Sequence, residues 1–176
     1  LTRAHLEEDA GKSTHSSSNN NSELDFNRSG APLIEIVTEP VLTHPVQAKI
    51  LIQRIKQIVN YITISQAEME QGKLRCDANI SIKKKGIKEF GTKTEIKNIN
   101  SFKNVQKAIE SEIKRQHDLL SKGDSVKQAT LTWNNEKNIA EIMRIKENAN
   151  DYRYFPEPDL PPVEIHKKHI DSIKKL

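Results

Sequence analysis

The chain carries one cysteine, Cys76, in 176 residues, which excludes an intrachain disulfide and a zinc site built from cysteines. No apolar run approaches the roughly 20 residues that a membrane-spanning helix needs, and no charged–apolar–small leader pattern opens the sequence. Aromatic residues are scarce at 5%, and the hydrophobic fraction of 35% barely exceeds the charged fraction of 30%. Such a composition suits a domain with a wide wet surface rather than a deep core. There is no Walker-type phosphate loop, no Gly-rich Rossmann turn and no arrangement that reads as a nucleophilic triad. A reduced, cytoplasmic setting is the expectation, or an organellar matrix in a eukaryote, with no membrane contact.

What is present is charge. Twenty-eight Lys and Arg stand against 24 Asp and Glu, a net +4 with a pI near 9.1. This permits a polyanionic partner, but the lysines are spread along the chain rather than gathered in a basic arm, so charge alone is weak evidence for nucleic acid. The length suffices for one substantial core. The chain opens on Leu1, directly in a strand-like segment, and a piece of a longer protein is expected.

Residues 1–8 read as an extended segment entering a turn at Gly11–Lys12, and 16–22 as a mobile Ser/Asn tip. Leu24–Asn27 and Pro32–Thr38 read as two strands around a turn at Ser29–Gly30–Ala31. Leu51, Ile55, Ile58, Val59 and Ile62 then recur with helical period over Val46–Tyr61, with Thr43 as N-cap and Pro45 in the first turn. A second helix is predicted over Phe102–Leu120, capped by Ser101, striped by Val105, Ala108, Ile109 and Ile113, and ended at Lys122–Gly123. Between the helices Leu74–Ile82 alternates and Phe90–Lys97 returns. Gln128–Trp133 and Ile139–Arg144 form another pair about Asn134–Asn135. The order predicts an α+β fold, a largely antiparallel sheet backed by helices.

The acids carry the chemistry. Glu35 interrupts Leu33, Ile34, Ile36 and Val37, a strand read as apolar on both faces. An ionised carboxylate there needs a partner. Two readings stand: an edge-strand acid meeting water or a structural Lys or Arg, and a metal ligand. Symmetric closure of the hairpin about Gly86 sets Asp77 against Glu95 and Asn79 against Lys93. Opposed carboxylates repel unless a cation lies between them, and oxygen ligands on strands suit Mg²⁺. The alternative is a solvated face on which Lys93 and Lys97 neutralise the acids. Glu7, Glu8 and Asp9 form a third acidic group, with His5 on the same strand face as Glu7. If the chain is an enzyme, carboxylate-held Mg²⁺ acting on a phosphoryl group is the chemistry that fits these residues best.

Six blocks in fixed order carry a resemblance: His5–Lys12 (HLEEDAGK), Asp25–Pro40 (DFNRSGAPLIEIVTEP), Met69–Ser81 (MEQGKLRCDANIS), Phe90–Phe102 (FGTKTEIKNINSF), Met143–Lys146 (MRIK) and Asp151–Pro161 (DYRYFPEPDLP). Together they resemble the B subunits of the tRNA-dependent Asp/Glu amidotransferases. The resemblance implies a glutamine-synthetase-like catalytic cradle, incomplete at both ends. Residues 1–165 would be its central part, and 166–176 the start of the next segment. It implies that ATP and Mg²⁺ serve to phosphorylate the side-chain carboxylate of misacylated Glu-tRNA(Gln) or Asp-tRNA(Asn). Ammonia from a glutaminase A subunit then displaces phosphate, in a complex that also holds a small C subunit.

By resemblance, Glu8, Glu35, Asp77 and Glu95 are metal-binding and catalytic positions, and Glu70 is a further metal candidate. Lys12, Lys93, Arg144 and Arg153 are candidates for holding phosphates or the tRNA acceptor end. Tyr152, Tyr154 and Phe155 would pack under the Pro-rich turn or stack on a terminal adenosine. Two parts of the family pattern have no counterpart here: an initial strand with a Glu and a His, and a C-terminal helical tail. Gln71 replaces a frequent family acid. The piece alone is therefore expected to be inactive. A silent RNA-binding module and the archaeal-type paralogue specific for Glu-tRNA(Gln) are the competing readings.

Overall fold

Alternation over the first segment produces β1 (Arg3–Glu8), which pairs antiparallel with β4 (Pro32–Val37). Nested inside it, β2 (Lys12–His15) pairs with β3 (Ser22–Asp25). Lys12 thus begins a strand rather than closing a turn. The two strands expected around Gly30 do not pair with each other; each takes a partner from the opening segment. Gly30 sits at φ +77, where a left-handed turn favours glycine. The computed structural model describes residues 1–15, 21–145 and 163–175. Most of the expected Ser/Asn tip lies outside them.

The chain divides into two units, Leu1–Ile145 and Lys146–Leu176. The expected boundary at 165/166 lies inside the second, whose described element is α3 (Lys167–Ile173). The first unit also holds α1 (Pro45–Tyr61), β5 (Cys76–Ile80), β6 (Thr94–Ile99), α2 (Phe102–Ser121), β7 (Ala129–Asn134) and β8 (Ile139–Ile145). The last four strands form one sheet in the order β5-β6-β7-β8. Its outer pairs are antiparallel, but β6 and β7 run parallel because α2 is the crossover between them. The class is α+β with mixed sheets.

Helix α2 lies on the sheet and α1 packs on α2. The core gathers Ile80, Ile96, Leu131 and Trp133 from the sheet, Val105 and Ala108 from α2, Ile52 from α1, and Met69 from the turn before β5. On α1 the buried isoleucine is Ile52, outside the expected stripe, while Ile58 and Ile62 are exposed. One neighbouring helix covers only a narrow strip of α1. His44, not Thr43, is its N-cap: Val46 N–H donates to His44 Nδ1, and Gln47 Oε1 accepts from the His44 backbone.

Ser101 caps α2 as predicted, its Oγ accepting from Asn104 N–H at 3.2 Å. Ser101→Ala is expected to cost about 1 kcal/mol in chemical denaturation, because that N–H then lacks a fixed acceptor. The apolar stripe of α2 continues into two polar residues, Glu112 and Gln116, both fully buried. The Glu112 carboxylate accepts from Thr94 Oγ1 at 2.7 Å, from Gln116 Nε2 at 2.8 Å and from both Nε and Nη2 of Arg115 at 2.7 Å. Gln116 also donates to Ile80 O and accepts from Ile82 N–H, each at 3.1 Å. It thereby ties off the end of β5.

Candidate metal centre and polar sheet face

Two clusters of acids form, one on the β1–β4 ribbon and one on the sheet. On the ribbon, His5 and Glu7 share a face by alternation, and the antiparallel register sets Glu35 directly opposite His5. His5 Nε2 lies 2.8 Å from Glu7 Oε1 and 3.0 Å from Glu35 Oε2, with Arg3 Nη2 3.8 Å from the latter. One ring nitrogen carries at most one proton and cannot serve two carboxylates at once. Accordingly Glu35 Oε2, closed to solvent, accepts no hydrogen bond. One ligand atom from each of the three side chains lies within 4.8 Å of the other two, the spacing of a cation site.

Glu35 is only partly buried, its side chain 40% exposed. Ile34 is exposed too. Ile34 and Glu35 point to opposite faces of the strand, so both faces reach solvent in part and neither is a closed apolar face. Glu8, expected beside Glu35, pairs with Pro32 and points from the opposite face; the acid that joins Glu35 is Glu7. The signal was the i, i+2 spacing of His5 and Glu7, but choosing between Glu7 and Glu8 required the pairing register.

On the sheet, the open face carries Asp77 and Asn79 from β5 and Glu95 and Lys97 from β6. The register sets Asn79, not Asp77, opposite Glu95, and a bulge lies between Cys76 and Ala78. The loop between these strands is not symmetric about Gly86, so the expected Asp77–Glu95 opposition fails. Lys97 Nζ sits between the acids instead, 3.1 Å from Asp77 Oδ2 and 3.6 Å from Glu95 Oε1. Partial burial works to lower the Lys97 pKa, but hydrogen bonding and attraction from Asp77 and Glu95 outweigh it and hold it above the usual lysine range. One cross-strand row runs Asn79, Glu95, Thr130, Arg144, and Thr130 Oγ1 stands 3.5 Å from Glu95 Oε2.

Lys12, Glu8, Glu70 and Lys93 are exposed. Arg144 is exposed on β8, in the row of Glu95. Arg153, Tyr152, Tyr154 and Phe155 lie outside the described residues. Asp9 is a feature the sequence did not disclose. Its carboxylate is buried and meets Arg28 Nε at 2.9 Å and Arg75 Nη2 at 3.1 Å.

Cys76 stands beside Asp77, and burial followed by the Asp77 charge pushes its thiol pKa to about 12. At pH 8 the native protein should resist alkylation by iodoacetamide and react fully only once unfolded. Mass spectrometry with and without denaturant checks this.

Residues 1–171 match the family described as the GatB/GatE catalytic domain. The B subunit of the aspartyl/glutamyl-tRNA(Asn/Gln) amidotransferase from Carboxydothermus hydrogenoformans is 50% identical over 177 residues, covering 99% of this chain and 37% of that protein. The protein of the same name in Moorella thermoacetica is 47% identical with the same coverage. That of Hahella chejuensis is 50% identical over 174 residues, 99% of this chain and 36% of its own length. The chain thus spans little more than a third of these relatives.

Proposed function

Because this chain belongs to the GatB/GatE catalytic domain family, we propose that it is the catalytic portion of the B subunit of a tRNA-dependent amidotransferase. In this reading, the side-chain carboxylate of misacylated Glu-tRNA(Gln) or Asp-tRNA(Asn) is phosphorylated at the expense of ATP. Ammonia then replaces phosphate to give the amide. The domain is a glutamine-synthetase-like cradle, and it works with a glutaminase A subunit and a small C subunit in the cytoplasm or an organellar matrix. The enzyme is a carbon–nitrogen ligase with glutamine as amido donor, acting in translation.

The observation that carries the reading is the cluster of His5, Glu7 and Glu35. Two carboxylates and an imidazole within 4.8 Å, one carboxylate oxygen closed off without a hydrogen bond, fit a divalent cation such as Mg²⁺. When bound, Mg²⁺ supplies charge neutralisation on the transferring phosphoryl group. The protein's own contribution is placement. Arg3 sits beside Glu35 and limits its net negative charge. Lys97, kept protonated by Asp77 and Glu95, offers a fixed cation on the sheet face, and Arg144 in the same sheet offers a second. Lys12, Lys93 and Arg153 remain candidates for the acceptor end of the tRNA, with Glu8 and Glu70 as further acids.

The test uses the full-length protein assembled with its partner subunits. Mg²⁺-dependent ATP hydrolysis stimulated by Glu-tRNA(Gln), and not by uncharged tRNA(Gln), is expected, with Gln-tRNA(Gln) appearing when glutamine is supplied. Hydrolysis that ignores the aminoacyl group, or none at all, would overturn the proposal in favour of a catalytically silent RNA-binding module.

A further inference from the structure

Asp9 has no part in the scheme above, yet it is the buried acid of its segment. His5, Glu7 and Asp9 fall at alternate positions, so Asp9 continues the strand face that carries the ribbon cluster. Arg75, just before β5, is exposed like Asp77 and Asn79, while Leu74, Cys76, Ala78 and Ile80 turn toward the core. The Asp9–Arg75 contact, at 3.1 Å and 3.4 Å through the two guanidinium nitrogens, therefore joins the polar face of the ribbon to the polar face of the sheet. Arg28 reinforces the joint: its Nε meets Asp9 at 2.9 Å while its Nη1 donates to Gly72 O at 3.2 Å, in the turn before β5. The Asp9 backbone is fixed as well, donating to Ala31 O at 2.8 Å and accepting from Gly30 N–H at 2.9 Å. Asp9 and Arg28 thus link 1–40 to the sheet and its preceding turn.

We propose that Asp9 is a positioning residue: through Arg75 and Arg28 it fixes the ribbon cluster of His5, Glu7 and Glu35 relative to the sheet cluster of Asp77, Lys97 and Glu95, so that one phosphate-bearing substrate touches both. The proposal rests on the functional reading above. A carboxylate shared by two guanidiniums is a rigid, directional joint. Without it the ribbon has little packing against the sheet to hold it in place. Asp9 itself touches no reacting atom in this scheme; it acts on the spacing of groups that do. A misplacement of about 1 Å between reacting groups is enough to slow a reaction on the order of 100-fold.

The test compares Asp9→Asn, Arg75→Gln and the double variant in the full-length protein with its partners. Each single change should lower kcat for Glu-tRNA(Gln)-stimulated ATP hydrolysis about 10- to 100-fold, and the double should be no worse than the poorer single. Mn²⁺ titration followed by electron paramagnetic resonance should show metal affinity within about twofold of wild type, because the ribbon cluster itself is intact, while affinity for Mn²⁺–ATP falls about tenfold or more. Losses that simply add in the double variant would overturn the proposal, as would equal weakening of Mn²⁺ alone or unchanged kcat. If Asp9→Asn fails to fold, Arg75→Gln carries the same measurements, since Arg75 is 60% exposed. If the wild-type complex hydrolyses no ATP, the functional reading falls while the joint is still judged by hydrogen exchange. Arg75→Gln should then raise exchange at the Asp9 and Gly30 amides about tenfold, and unchanged exchange there would sink it.

Discussion

Glu35→Gln is expected to lower Mg²⁺-dependent ATP hydrolysis by the assembled enzyme on the order of 100-fold, with the melting temperature little changed. The amide keeps the shape of the side chain but removes the anionic oxygen that is closed off without a hydrogen bond. Stability should hold because Glu35 is 40% exposed and its contacts with Arg3 and His5 are of the surface kind, worth little. The same alternation that joins Glu7 to Glu35 ranks Glu7→Gln above Glu8→Gln in its effect. Steady-state hydrolysis with a Mg²⁺ titration for each variant checks both statements. Full activity in Glu35→Gln at saturating Mg²⁺ would remove Glu35 from the site.

The largest effect on stability belongs to Glu112, which is fully buried and accepts from Thr94, Gln116 and Arg115. Glu112→Ala leaves three donors facing a cavity, and a loss of about 3–5 kcal/mol is expected, measured by urea denaturation. The pH dependence has a definite sign. Burial works to raise the Glu112 pKa, but hydrogen bonds from Arg115, Gln116 and Thr94 and the Arg115 charge outweigh it, so the folded value lies below the ordinary 4.5. The contribution is therefore fully present above pH 4.5 and is lost as the pH falls through the lower, folded value. Relative to wild type, Glu112→Gln should lose less stability on acidification in that window. An identical acid limb in both proteins would contradict the assignment.

What could be read in the sequence was local. The Ser101 cap, the Val105 and Ala108 stripe and the chain break at Gly123 follow from interactions within one helix turn. The polar face of β5 likewise follows from alternation alone. What escaped depended on partners far away in the chain. The polar end of the α2 stripe made no sense until Ile80 and Ile82 were seen to bond Gln116. The Asp77–Glu95 opposition failed because the two strands close about Ile87 rather than Gly86, which sets Asn79 opposite Glu95. Lys97 between the two acids was one of the alternatives the residues left open, and it is the one the structure contains. The Asp9 joint to Arg75 spans 66 positions, and alternation within either segment does not show that the two meet.

The parallel seam between β6 and β7 also has a kinetic meaning. The β5–β6 and β7–β8 pairs each join neighbouring strands through a loop, so both can close early. The seam of Glu95, Ile96 and Lys97 against Thr130, Leu131 and Thr132 must wait until the whole of α2 has folded back between them. It is the non-local step and is expected to be the slow one in forming the sheet, with substitutions there slowing refolding more than those in either hairpin. The cross-strand row that brings Arg144 into line with Glu95 crosses that seam, so Arg144 is expected to join the polar face last, after the Asp77–Lys97–Glu95 cluster of the β5–β6 pair already exists.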